Sequence, residues 1–114
     1  MKAYFVIRED LQLSPAKLAI QVGHGVDLIW MNCSSIDGFT DWLDPTVGDR
    51  RKLLLKIKSE EKLVNLMKAL EDEGLECHRI VDSGYYELEQ KTWTGIVVFP
   101  SRIQSKKLNR LRLY

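Results

Sequence analysis

Leu53-Leu54-Leu55-Lys56-Ile57, then Ser59-Glu60-Glu61-Lys62-Leu63-Val64-Asn65-Leu66-Met67-Lys68-Ala69-Leu70, then Gly74 and Cys77-His78-Arg79-Ile80-Val81 form the stretch on which the fold turns. The first run is short, apolar and free of breakers, as a largely buried strand is. Ser59 supplies a capping oxygen, and Glu60 and Glu61 place negative charge where a helix start is positive. Leu63, Leu66, Met67 and Leu70 recur at i, i+3, i+4 and i+7, so one helical face is apolar, and Gly74 ends it. A strand then follows over 77–81. Strand, helix, strand is the unit that builds a parallel sheet with covering crossovers.

Working outward, Tyr4-Phe5-Val6-Ile7 predicts an earlier buried strand, and Ser14-Pro15 opens a helix running to about Met31. Residues 34–49 carry Asp37, Gly38, Asp41, Asp44, Pro45, Gly48 and Asp49 and read as loop, with one helical turn over Phe39 to Leu43. Gly95–Phe99 predicts a fourth strand. No helical pattern occupies the link from Val81 to Gly95, so that strand should run antiparallel to the third. Ser101–Asn109 predicts a last short basic helix. The fold class is therefore α/β.

At 114 residues the chain is one domain, and 45% apolar with 29% charged residues is a globular composition rather than a disordered one. The apolar run Ala3–Ile7 is cut by Arg8, Glu9 and Asp10, so neither a membrane span nor a signal peptide is expected, and the expected location is the cytoplasm. Cys33 and Cys77 are too few and too far apart for a disulfide framework or a zinc site and are expected as reduced thiols. Net charge is only +1, but it is uneven. The last fourteen residues carry Arg102, Lys106, Lys107, Arg110 and Arg112 and no acid; the remaining 12 of the 17 basic residues face 16 acids, leaving −4 on residues 1–100. Arg50, Arg51, Lys52, Lys56 and Lys58 form a second basic group. Either cluster can be a solvated face or a contact for RNA phosphates.

Lys17, Gln21 and His24 are spaced i, i+4, i+7, which stacks three polar side chains on one stripe about 10 Å long. Gly23 and Gly25 flank His24 inside a helix, where each glycine costs about 1 kcal/mol relative to alanine. Either a neighbouring element packs there and His24 is a plain interface histidine, or the approach serves a ligand. Asp82-Ser83-Gly84 follows the third strand, at the edge where ligands bind in open α/β sheets; the alternative is a turn in which the aspartate bonds its own backbone. Thr92 and Thr94 can reach the same rim as Lys17 and Asp82. Tyr85 and Tyr86 are either turn aromatics or stacking platforms for a base. His78, within a strand, reads as structural. No nucleophile elbow, P-loop or dinucleotide fingerprint is present.

These residues carry a resemblance. Arg8-Glu9-Asp10-Leu11 and Lys17-Leu18-Ala19-Ile20-Gln21-Val22-Gly23-His24 resemble the opening motif of the archaeal and eukaryotic (type 2) peptidyl-tRNA hydrolases, R-x-D-L then K-x-A-x-Q-x-x-H. Asp82-Ser83-Gly84 through Thr94 to Pro100 is similar to that family's second motif, and Leu111-Arg112-Leu113-Tyr114 to its closing one. The resemblance spans Tyr4 to Tyr114 and leaves only residues 33–49 unmatched. It implies a three-layer α/β/α fold with a mixed four-stranded sheet, one strand antiparallel. The implied activity is hydrolysis of the ester between a peptide and tRNA, with no metal or other cofactor, by a homodimer.

The resemblance puts Lys17, His24, Asp82 and Thr94 at the family's catalytic cluster. Gln21, Tyr86 and Thr92 are assigned to substrate beside them, and Arg50, Arg51, Lys52, Lys106 and Lys107 to the tRNA backbone. His24 is assigned as general base or water-orienting group, Asp82 as its orienter, Lys17 as the charge for the oxyanion or a terminal phosphate, and Thr94 as a hydroxyl contact. The sequence departs from the family pattern where Tyr86 replaces a threonine, Ser83 an alanine and Phe99 a glycine. Ser14-Pro15-Ala16 also stands where the family has Gly-Lys-Gly. The alternative is a tRNA- or RNA-binding protein of this fold with impaired catalysis. A third reading is an adaptor that binds proteins through residues 34–49 and Trp42.

Overall fold

The computed structural model describes residues 1–85 and 87–114. Its strands are β1 (Ala3–Arg8), β2 (Lys52–Ile57), β3 (Cys77–Asp82), β4 (Thr92–Val98) and β5 (Arg112–Leu113). The helices are α1 (Pro15–Met31), α2 (Phe39–Leu43), α3 (Glu60–Asp72) and α4 (Lys106–Asn109). The sheet runs β3-β4-β1-β2-β5. β1 and β2 are parallel, as a strand–helix–strand connection requires, and β4 is antiparallel to both β1 and β3.

The sheet has five strands, not the expected four, and two of them run against the others. The addition is β5, whose Arg112 and Leu113 pair antiparallel with Lys56 and Leu55, with the Tyr114 amide donating to the Leu54 carbonyl at 3.0 Å. Two exposed residues cannot display a strand's alternation, so the sequence gives no sign of this pairing.

Alternation along the strands divides the core between the two faces of the sheet. Phe5, Ile7, Ile80 and Val97 pack with Leu18 and Ile29 of α1. Val6, Ile96 and Val98 pack with Leu63, Leu66 and Leu70 of α3 and Leu108 of α4. Both long helices start as the sequence predicts: the Ser14 and Ser59 side chains accept the amides of Lys17 and Lys62.

Trp42 of α2 is 1% exposed and its Nε1 donates to the Arg51 carbonyl at 3.1 Å. Segment 34–49 thus closes one core, and Trp42, named in the adaptor reading, has no face to offer a protein partner. Cys33 and Cys77 are free thiols. Among the described residues no helix is long and apolar enough to cross a membrane.

Candidate active site

The 3.6-residue period of α1 aims Lys17, Gln21 and His24 at one place, and the end of β3 delivers Asp82 to it. Asp82 Oδ2 accepts from Gln21 Nε2 at 2.8 Å, lies 3.1 Å from Lys17 Nζ, and stands 3.5 Å from His24 Nε2. Asp82 Oδ1 accepts the Gly84 amide at 2.8 Å, with Gly84 at φ +98°. One oxygen of the Asp82 carboxylate therefore makes the turn, and the other faces Lys17, Gln21 and His24.

Lys17, Gln21, Asp82 and Thr94 are buried, with Gln21 and Thr94 wholly so, while the His24 side chain is 40% exposed. The Thr94 hydroxyl donates to Gln21 Oε1 at 2.7 Å, with the Ile80 carbonyl 3.2 Å away. An ionised carboxylate can only accept, so the amide of Gln21 must turn its NH₂ toward Asp82 and its oxygen toward Thr94. Burial opposes ionisation of Asp82. It is outweighed by the hydrogen bonds from Gln21, the Gly84 amide and Lys17 together with the Lys17 charge, and the carboxyl is held well below the usual carboxylate range.

Only one of the two flanking glycines answers to close packing. A Cβ on Gly25 would stand 2.6 Å from two ring carbons of Phe5, whereas one on Gly23 would meet nothing within 4 Å. Gly25 lets α1 settle onto β1, and Gly23 leaves open space beside His24.

The Lys17 ammonium also donates to the Tyr85 carbonyl at 2.8 Å, which ties the loop after β3 to the start of α1. Glu87, which no sequence signal marked, makes a second tie. Its carboxylate accepts the Ser14 amide at 3.0 Å and the Ser14 hydroxyl at 2.8 Å. A concavity of about 440 Å³ lined by Ser14, Ala16, Lys17, Ile20 and Glu87 opens beside the buried lysine. The Tyr85 side chain is exposed. Thr92 pairs with Asp82 across β3 and β4 and donates to the Gln90 carbonyl at 2.7 Å. Tyr86 lies outside the described residues.

Arg8, the first residue of the opening motif, has a visible task. It grips Asp10 through two nitrogens and donates to the Trp93 carbonyl at 3.0 Å, fixing β4 next to Thr94. Its pKa is raised, chiefly by the Asp10 hydrogen bond against the opposing effect of burial. The expected RNA contacts are spread apart. Lys52 pairs with Ala3, at the opposite ends of β2 and β1 from Ile57 and Arg8. Five residue steps of about 3.3 Å therefore separate exposed Arg50, Arg51 and Lys52 from the end of the sheet that holds Asp82. Lys106 and Lys107 lie on α4, exposed, on the other face of the sheet from α1. Among the described residues no group of three His, Cys, Asp or Glu side chains is placed to hold a metal ion.

The family described as peptidyl-tRNA hydrolase PTH2 matches residues 1–114. The chain belongs to the peptidyl-tRNA hydrolase PTH2 family. Among its relatives named peptidyl-tRNA hydrolase, that of Methanocaldococcus jannaschii is 31% identical over 107 residues, 90% of this chain and 88% of that protein. That of Metallosphaera sedula is 29% identical over 116 residues, 99% of both chains. That of Haloquadratum walsbyi is 33% identical over 100 residues, 88% of this chain and 86% of that protein. In this PTH2 chain, Arg8, Lys17, Gln21, His24, Asp82 and Thr94 of the quoted motifs gather at one end of the sheet, while Arg50 and Arg51 stand at the other.

Proposed function

We infer that this chain hydrolyses the ester between a peptide and the 3′ end of tRNA, freeing both, and that the Lys17-Gln21-His24-Asp82 cluster carries the reaction. The observation behind it is the convergence of three polar side chains of α1, Lys17, Gln21 and His24, on one carboxylate oxygen of Asp82, 61 residues beyond Gln21 in sequence, in a chain that matches the family throughout.

The chemistry divides among them by proton affinity. A carboxylate held ionised this firmly is a weak base, so Asp82 orients and stabilises while another group takes the proton. His24 is that group: it is accessible, sits at the edge of the cluster, and is the one imidazole there. It draws the proton from a water as that water attacks the ester carbonyl, and returns it to the 3′ oxygen of the tRNA as the ester C–O bond breaks. Lys17 contributes positive charge near the forming oxyanion. Gln21 and Thr94, both wholly buried, are positioning residues: Thr94 fixes the amide of Gln21, and Gln21 fixes Asp82. Tyr86 and Thr92 belong with the substrate contacts, and Arg50, Arg51, Lys52, Lys106 and Lys107 with more distant parts of the tRNA. Homodimer assembly and cytoplasmic residence go with this reading on the motif resemblance.

The test is turnover of an N-acetylated aminoacyl-tRNA. His24→Ala should lower kcat by about 10²- to 10⁴-fold, the usual worth of a positioned acid–base group, with tRNA affinity unchanged. Retained turnover overturns the assignment. A wild-type chain that binds tRNA without turnover would make it the impaired RNA binder instead.

A further inference from the structure

The sheet carries one unbroken rung: Ile80, Gly95, Ile7, Lys56 and Arg112 are successive partners across β3, β4, β1, β2 and β5. Gly95 adjoins Thr94 of the cluster. At about 4.8 Å per strand, Lys56 stands about 10 Å and Arg112 about 14 Å along the sheet from it. Leu54 packs with the α1-side core and Leu55 and Ile57 with the α3-side core, so Lys56 projects on the α1 side, the face that holds Gln21 and Asp82. Its partner Arg112 projects the same way.

Around that end of the rung lies a groove of about 350 Å³ walled by Lys56, Lys58, Lys62, Arg110 and Arg112, with Glu9 as its single acid. Glu9 lies 3.7 Å from Lys56. Among the described residues, Lys58, Lys62, Arg110 and Arg112 form no ion pair. Four cations of one small groove are thus uncompensated in a protein whose net charge is +1. The groove exists only because β5 closes onto β2: Arg110 and Arg112 come from the tail, Lys56 and Lys58 from the end of β2, and Lys62 from the first turns of α3.

The geometry points to this groove as the seat of the RNA backbone next to the ester, its cations each taking a phosphate of the strand that leads into the active site. The assignment rests on the hydrolase reading above and adds to it where the nucleic acid lies. A strand carries one phosphate per about 3.4 Å of helix axis, so the 10 to 14 Å between cluster and groove is spanned by the last three or four nucleotides. Glu9, the lone acid, opposes the same phosphates.

Lys58→Gln, Arg110→Gln and Arg112→Gln combined test it, with Lys68→Gln on the far part of α3 as the charge control and Glu9→Gln as the opposite perturbation. The probes are tRNA binding across 0.05–0.3 M salt and turnover of an N-acetylated aminoacyl-tRNA. Each phosphate contact with a single strand adds about 0.7 to the slope of log affinity against log salt, which at 0.15 M is about 4-fold in affinity. The triple variant should therefore lose about 2 in slope and about 50-fold in KM and Kd, with kcat within a few-fold of wild type and an unchanged melt. Glu9→Gln should tighten binding severalfold, and Lys68→Gln should change neither. Wild-type slope and KM in the triple variant would overturn the groove while leaving the hydrolase reading intact. Loss of binding by the triple variant in a wild type that never turns substrate over would support the groove and overturn the hydrolase reading.

Discussion

Asp82 and Lys17 form a buried ion pair, both under 5% exposed, and the pair makes a prediction that does not depend on catalysis. Removing one partner strands the other charge in a poorly solvated place, which costs about 3 to 5 kcal/mol, whereas replacing both by groups of similar shape costs far less. Asp82→Asn should therefore destabilise by about 3 to 5 kcal/mol, roughly 12 to 20 °C in melting temperature at about 4 °C per kcal/mol for a chain of this length. Lys17→Met should cost a similar amount. The double variant should be more stable than either single one, because it leaves no buried charge alone. Urea unfolding of all four proteins gives the coupling energy directly. The pH dependence follows the same pair. The folded carboxyl binds a proton less readily than the unfolded one, whose pKa is about 3.9, so in the acid range the unfolded chain takes up more protons. The stabilisation is complete above about pH 5 and drains away as pH falls below 4, and Asp82→Asn should flatten that acid limb. Single variants that each cost under about 1 kcal/mol, with a double variant equal to their sum, would refute the reasoning.

The two glycines of α1 should respond with opposite signs. Gly23→Ala adds a methyl into open space and removes the helix penalty, so it should stabilise by about 0.5 to 1 kcal/mol; Gly25→Ala drives a Cβ into the Phe5 ring and should cost about 1 to 3 kcal/mol. Thermal melts that reverse this order would mean that α1 does not sit on β1 as described. Glu87→Ala removes both acceptors from Ser14 and should cost about 1 kcal/mol globally, with amide exchange at Gly84 and Leu88 accelerated well beyond that of the core strands. Unchanged exchange at those amides would show that the Lys17 bond to the Tyr85 carbonyl holds the loop without help.

Where the sequence was readable, the signal was periodic. The apolar face of α3 and the caps at Ser14 and Ser59 stand where spacing and residue type put them, and even the single helical turn at Phe39–Leu43 was legible from its breakers. β5 was not, because two residues hold no period and their pairing depends on how α4 packs through Leu108. Arg50, Arg51 and Lys52 illustrate a different limit: charge density along the chain says nothing about which end of a strand faces the active site. The register of β2 with β1 decides that, and it divides one sequence cluster between the two ends of the sheet.

The stripe Lys17-Gln21-His24 shows how far spacing carries function. Periodicity alone put three polar groups on one face, but their burial separates their roles. Gln21 is the middle of the three and the one wholly enclosed, satisfied on one side by Thr94 and on the other by Asp82. A glutamine so placed transmits the position of a β4 hydroxyl to a β3 carboxylate and through it to the exposed imidazole one turn along α1. Any substitution there that keeps length but loses either end of the amide, such as Gln21→Glu, sets two carboxylates against each other beside a single lysine. The sequence states which groups can meet; which of them touches substrate is set by the few ångströms of packing over each, and here that packing leaves His24 outermost.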